Sequence, residues 1–148
     1  TPRPRAGGRG PTPHGQPTNA EWGGLMYLCE ALMDFDGKSW PMVGAIPGKT
    51  QMGGKLTLGY RQATALKSTP LLPAHAQVWG HEFHRSQWIA PELPNLLTLK
   101  GLSSQTHPYG EGWGHAHLHG SYLHLHWGDQ PWIARRFVAQ CERWGGVV

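Results

Sequence analysis

At 148 residues, 39% of them hydrophobic, the chain is long enough for one domain with a real core, and no more than one folded unit is expected. It carries 13 basic and 9 acidic residues, but Arg3, Arg5 and Arg9 fall in the first 20 residues with no acid among them, so the remainder is nearly balanced and has no basic stripe for nucleic acid. No apolar run reaches the roughly 18 residues of a membrane span, and Cys29 and Cys141 are too few for a disulfide scaffold, so a reduced, cytoplasmic protein with neither nucleic acid nor membrane as partner is expected.

Residues 1–20, TPRPRAGGRGPTPHGQPTNA, lack apolar periodicity and read as a disordered basic Pro/Gly-rich tail, which leaves 21–148 as the folded unit. In NAEWGGLMYLCEAL a Gly-Gly bend with Trp22 at its tip feeds a helix from Leu25 to about Met33, through Leu25, Leu28, Cys29 and Leu32. The loop DFDGKSW follows, then a short buried strand in WPMVGAIPG, and a strand in KLTLGYRQATAL with Leu56, Leu58 and Tyr60 on one face. Further strands are expected in AQVWGHEFHRS, in LLTLKG, and from Leu118 to Trp127 of HAHLHGSYLHLHW. The segment PWIARRFVAQCERW makes an amphipathic terminal helix through Ile133, Phe137, Val138 and Cys141. Helix, several strands and helix suggest α/β or α+β.

Two features point to chemistry. A strand-to-helix elbow projects its tip side chain into a cleft beside the amides that open the helix, a common place for a nucleophile, yet the tip here is a tryptophan. The chain also has ten histidines, and His115, His117, His119, His124 and His126 alternate, so three imidazoles on one strand face are a candidate zinc or copper site. Against a metal, no cysteine lies at ligand spacing, and His81 and His84 of HEFH face opposite sides of a strand.

Five blocks, AEWGGLMYLCEAL, SWPMVGAIPGKTQM, LTLGYRQA, GHEFHRS and SYLHLHWG, cover most of residues 20–140 in this order. Together they resemble the C-terminal glutamine amidotransferase domain of the cobyrinate a,c-diamide synthases, enzymes of cobalamin synthesis. The resemblance implies a class I glutamine amidotransferase fold: a flavodoxin-like, three-layer α/β domain, here lacking its first strands. It implies that a cysteine on the elbow attacks the glutamine amide, that a histidine moves the protons, and that backbone amides near the elbow hold the oxyanion. The ammonia passes to an N-terminal domain that uses ATP and magnesium to activate the corrin a and c carboxylates. No G-x-x-x-x-G-K-[ST] loop occurs in this chain, so no cofactor is expected here; glutamine and an ATP-binding amidoligase domain or subunit are the implied partners.

Carried over residue by residue, His124 matches the general base. His126 stands where many class I amidotransferases have a glutamate that orients the base, so it either supports His124 from the same strand face or packs. Gly23 and Gly24 match the elbow glycines, whose close approach and unusual dihedrals favour that residue. Glu82 and His84 lie in a block that borders the glutamine site, with a charge paired inside a strand layer as the alternative for Glu82. The family pattern is Ala-Glu-Cys-Gly-Gly, so Trp22 occupies the nucleophile position; it has no ionisable thiol and fills the pocket meant for glutamine. Cys29 cannot replace it, since on a continuous helix it lies about two turns, roughly 10 Å, from the tip. The expectation is an amidotransferase domain deficient in glutamine hydrolysis; the alternatives are a non-catalytic interaction remnant and a His-rich metal protein. A resemblance that begins abruptly near Ala20 is what a truncated or frame-shifted gene predicts, and a sheet without its first strands should expose an edge and apolar faces that need a partner.

Overall fold

The computed structural model describes residues 15–103 and 106–146. In chain order its elements are β1 (Thr18–Glu21), α1 (Gly23–Leu28), β2 (Cys29–Met33), β3 (Ser39–Pro41), β4 (Ile46–Ala65), β5 (Gln77–Ile89), β6 (Leu97–Gly101), β7 (Tyr109–Glu111), β8 (Trp113–His115), β9 (Leu118–Ser121), β10 (His124–Leu125) and α2 (Trp132–Gly145). The expected tail lies outside the described residues over 1–14, but its last three residues belong to β1. Among the described residues no helix is long and apolar enough to cross a membrane.

The fold is mixed α/β, as expected. A small sheet has the order β1-β9-β8, and a larger one runs β10-β5-β4-β2-β3 with β6 on β4 and β7 on β6. Among the described residues, parallel pairing is confined to β1 with β9 and β2 with β4; the remaining ladders are antiparallel. The larger sheet is built on the long β4–β5 hairpin, where Leu58 lies opposite Phe83 and Tyr60 opposite His81. Leu56, Leu58 and Tyr60 do share a face, but it is the solvent face, together with Trp79 and Phe83.

Three expected elements are corrected. The helix expected to reach Met33 ends at Leu28, because Cys29–Met33 is drawn into the sheet beside β4, so the helical spacing of Leu25 and Leu28 does not continue through Cys29 and Leu32. The segment WPMVGAIPG is not one strand: β3 is an exposed partner of β2, the chain bends over 42–45, and Ile46 opens β4. The strand expected over Leu118–Trp127 is broken at Tyr122 and Leu123, so that β9 lies in the small sheet and β10 in the large one.

Two apolar clusters hold these parts together. Leu25 and Leu28 of α1 pack with Ala20, Cys29, Ile46, Leu118 and Tyr122, which ties the elbow to both sheets. Ile133 of α2 seats on Leu71, Leu72, Val78, Leu97, Leu99, Leu123 and Leu125, with Phe137 against the same cluster. Each fully buried leucine or isoleucine contributes about 1.5–3 kcal/mol of transfer free energy. Gly80 lets β10 close on β5: a Cβ there would collide with the His124 carbonyl oxygen and stand 2.8 Å from Leu123 Cγ, whereas one at Gly54 would meet nothing within 4 Å. Gly80→Ala should therefore cost about 1–3 kcal/mol, as overpacking of a closed contact does, while Gly54→Ala changes little; thermal unfolding of the two variants checks this, and equal melting temperatures would contradict it.

Candidate active site

The tip of the elbow is pinned from both sides. β1 ends with Glu21 opposite Ser121 of β9, and the Trp22 N–H donates to the Ser121 carbonyl at 2.9 Å. The backbone then turns through φ 55° and ψ −110° at Trp22, and the Trp22 carbonyl accepts the Met26 N–H at 3.1 Å as α1 begins. A non-glycine residue held at such dihedrals costs about 1–3 kcal/mol and persists only where its surroundings over-determine it. The glycines are not the strained residues. A Cβ on Gly23 would meet nothing within 4 Å and one on Gly24 only the Ala20 methyl at 3.5 Å. What they leave is open space beside the first amides of α1, where no side chain caps the helix.

The histidine reaches the tip through a pinned bend. Glu111 accepts from Ser121 Oγ at 2.6 Å and from the Tyr122 N–H at 2.7 Å, and the Leu123 N–H donates to Ser121 Oγ at 2.9 Å. These bonds carry the chain out of the small sheet, so His124 pairs with His81 of β5 and comes up beside the elbow. There His124 Nδ1 lies 3.0 Å from Glu21 Oε2, the Trp22 indole meets its ring edge-on at 5.0 Å between centroids, and His81 stacks on it at 5.1 Å. Burial pushes the Glu111 carboxyl up to about 7, although the bonds from Ser121 and Tyr122 work the other way.

The other expected site residues divide. His84 lines the cleft of about 360 Å³ at the elbow with Trp22, Gly23, Met26, Phe83 and Ser86. Glu82 lies in the adjoining cavity of about 760 Å³, which shares His84 and Ser86 with that cleft. The strand pleat turns Glu82 and His84 to the buried face of β5, opposite to His81 and Phe83. Glu82 is held there by Arg61 Nε at 2.8 Å, by His84 Nε2 at 3.3 Å and by the Tyr109 hydroxyl. Burial works to raise its carboxyl, but His84, Tyr109 and Arg61 together hold it below the usual carboxylate range. For His84, burial works to lower the imidazole, while its bonds to Glu82 and to the Ser86 carbonyl, at 2.8 Å, win and raise it. A paired charge in a strand layer, the alternative weighed for Glu82, describes this network.

His126 is not bonded to His124. Its Nδ1 accepts the Asp129 N–H at 3.1 Å, and it lines a separate aromatic groove with Tyr60, Trp79 and His81. Cys29 is fully buried at the start of β2, where burial first and Glu30 second push its thiol up to about 12. It fails as a nucleophile because it stays protonated in the core; the two-turn helix distance does not apply. His115 and His117 are exposed at the β8–β9 hairpin and His119 is buried against Thr69, so the alternating run does not line one face. Among the described residues no three His, Cys, Asp or Glu side chains gather as metal ligands.

Residues 12–132 match the CobB/CobQ-like glutamine amidotransferase domain. The chain belongs to that family. It is 49% identical over 129 residues to a cobyrinate a,c-diamide synthase of Synechococcus sp., covering 87% of this chain and 28% of that protein. A cobyrinate a,c-diamide synthase of Gloeobacter violaceus is 47% identical over 90% of this chain and 28% of its own length. A hydrogenobyrinate a,c-diamide synthase of Streptomyces coelicolor is 39% identical over 86% of this chain and 25% of its own length. The chain thus spans about a quarter of the length of the curated relatives it matches. The mixed α/β architecture with few helices is consistent with a partial, flavodoxin-like amidotransferase domain.

Sequence reasoning did not single out Glu21 or Glu111, and it weighed His81 only against a metal site. Glu21 had a signal, since it stands directly before the tip in the Ala-Glu-x-Gly-Gly block of the amidotransferase family. Glu111 had none: it lies in a glycine-rich stretch, and only the fold brings it to Ser121 and Tyr122.

Stability should record the burial of Glu111. With its folded pKa near 7 against an ordinary value of 4.5, the folded chain binds more protons in that window, so this group's contribution to stability falls as pH rises through it. His119, held neutral by burial with its pKa down to about 3, works oppositely, losing stability as pH falls from 6.5. Variants must therefore be compared pH by pH. In urea unfolding, Glu111→Gln should gain on the unaltered chain as pH rises from about 4.5 to 7; a constant difference would contradict the assignment.

Proposed function

We propose that this chain is the glutamine amidotransferase part of a cobyrinate a,c-diamide synthase, disabled for glutamine hydrolysis by Trp22. The observation that carries the reading is the elbow itself: a strained strand-to-helix tip with a histidine beside it, in a chain of the amidotransferase family. The names of the relatives supply the corrin substrate class, cobyrinate or hydrogenobyrinate. In such an enzyme the ammonia released from glutamine is used by an ATP- and magnesium-dependent part to convert the corrin a and c carboxylates to amides. That part is the partner proposed for this chain. The exposed Leu58, Tyr60, Trp79 and Phe83, on the face to which Trp22 and His124 open, suit such cover.

With a thiol at the tip, the proposed chemistry runs through these groups. The thiol proton passes to His124, sulfur bonds to the amide carbon, and the oxyanion faces the uncapped amides of α1. On collapse the C–N bond breaks and the proton held by His124 leaves with ammonia; water then hydrolyses the thioester to glutamate. With Trp22 the first step has no nucleophile, and the indole lies against the base. The interaction-module alternative shares this feature and differs in having no glutaminase to restore.

The test is Trp22→Cys, mixed with or fused to the ATP-using part of the Synechococcus sp. synthase. The unaltered chain should release no ammonia from glutamine, the variant should release it, and adding His124→Ala should lower that rate by about 10² or more, the usual contribution of a general base. A folded Trp22→Cys protein that releases none would overturn the reading that Trp22 alone blocks the step.

A further inference from the structure

Glu21 and His124 stand 103 residues apart in the chain and meet across the two sheets at 3.0 Å, one residue before the tip on one side and at the base on the other. A carboxylate can only accept, so the nitrogen facing it, Nδ1, must carry the proton. Nδ1 is the one ring nitrogen of His124 with a hydrogen-bond partner among the described residues, which leaves the Nε2 lone pair as the proton acceptor. His81 stacked on the ring restricts its tilt. Asn19 Nδ2 lies 3.5 Å from the other oxygen of Glu21, so the carboxylate is oriented from within its own strand. We infer that Glu21 is the positioning residue of the site, fixing the tautomer and orientation of His124 for a nucleophile at position 22.

This inference deepens the glutaminase reading and rests on it for its catalytic meaning, but not for its structural content. An acid that holds the far nitrogen of a catalytic histidine contributes by keeping the correct tautomer and by stabilising the imidazolium as it forms. His126, at the sequence position where an orienting acid stands in other class I amidotransferases, does not take this role, since its ring is tied to Asp129. The strand that carries the tip also carries the orienting acid, so tip and base are aligned by one element.

The unaltered chain, labelled with nitrogen-15 in its histidines and held at about pH 8.5, where ordinary imidazoles are neutral, provides the first measurement. Two-bond proton–nitrogen correlations, assigned by the loss of signals in His124→Asn, should show His124 protonated at Nδ1 and bare at Nε2. Free imidazole side chains favour the opposite tautomer, and Glu21→Gln, whose amide can donate as well as accept, should move His124 toward it. An Nε2-protonated ring in the unaltered chain overturns the inference whether or not the variant folds, and so does an unchanged tautomer in a folded Glu21→Gln. In the Trp22→Cys protein with its ATP-using part, adding Glu21→Gln should lower kcat by about 10² with KM changed only a few-fold, the scale of general-base catalysis; an unaltered kcat would overturn it. A Trp22→Cys protein with no glutaminase activity would sink the proposed function alone, because the tautomer measurement would still decide Glu21.

Discussion

The parallel pairing of β1 with β9 is the constraint on which the site depends. It sets Glu21 opposite Ser121, and that register fixes both halves of the site at once. On one side the chain leaves β1 at Trp22 and must turn sharply to send Leu25 and Leu28 into the core. On the other it leaves β9 at Ser121 and is bent by Glu111 into β10, three residues before His124. A one-residue slip in this ladder would turn each side chain to the opposite face and part the tip from the histidine. The cost of the left-handed Trp22 backbone is offset by this framework and by the burial beneath α1.

Trp22 puts an indole, and no thiol, at the tip of the elbow. The turn has pinned ends and uncapped amides, and His124 faces the Glu21 carboxylate. The indole makes edge contacts with His124 and Phe83, so it occupies the space next to His124 instead of swinging clear. A strained tip beside a carboxylate-held histidine is therefore present in a chain that has no thiol there, and its two cysteines lie elsewhere: Cys29 is sealed in the core and Cys141 lies on α2.

The parts of this arrangement that were legible in the sequence are those carried by local pattern. The Gly-Gly bend after Trp22, the hairpin strands around GHEFHRS and the amphipathic α2 each announce themselves within a dozen residues. What was hidden depends on partners far along the chain. Cys29–Met33 has helical spacing in isolation and becomes a strand only because β4 offers it a ladder. The run Leu118–Trp127 reads as one strand, yet it breaks at Tyr122 and Leu123, where Glu111 captures two of its donors and the apolar positions change phase. Glu82 and His84 sit next in sequence to His81 and Phe83, but the pleat of β5 puts them on the buried face, where Arg61 and Tyr109 engage Glu82. The acid that holds His124 stands beside the tip instead of two residues after that histidine, a relation that only the crossing of two sheets can make.

The central claim is that the elbow and its base survive as a competent frame around a missing thiol. It is tested most directly by exposing the Trp22→Cys chain to an electrophilic analogue of glutamine with a reactive diazo ketone in place of the side-chain amide, and locating the adduct by mass spectrometry. The account predicts a single adduct at position 22, slowed by His124→Ala and blocked by excess glutamine, with Cys29 unmodified. Labelling of position 22 that ignores both His124 and glutamine, or no labelling there in a folded chain, would contradict it.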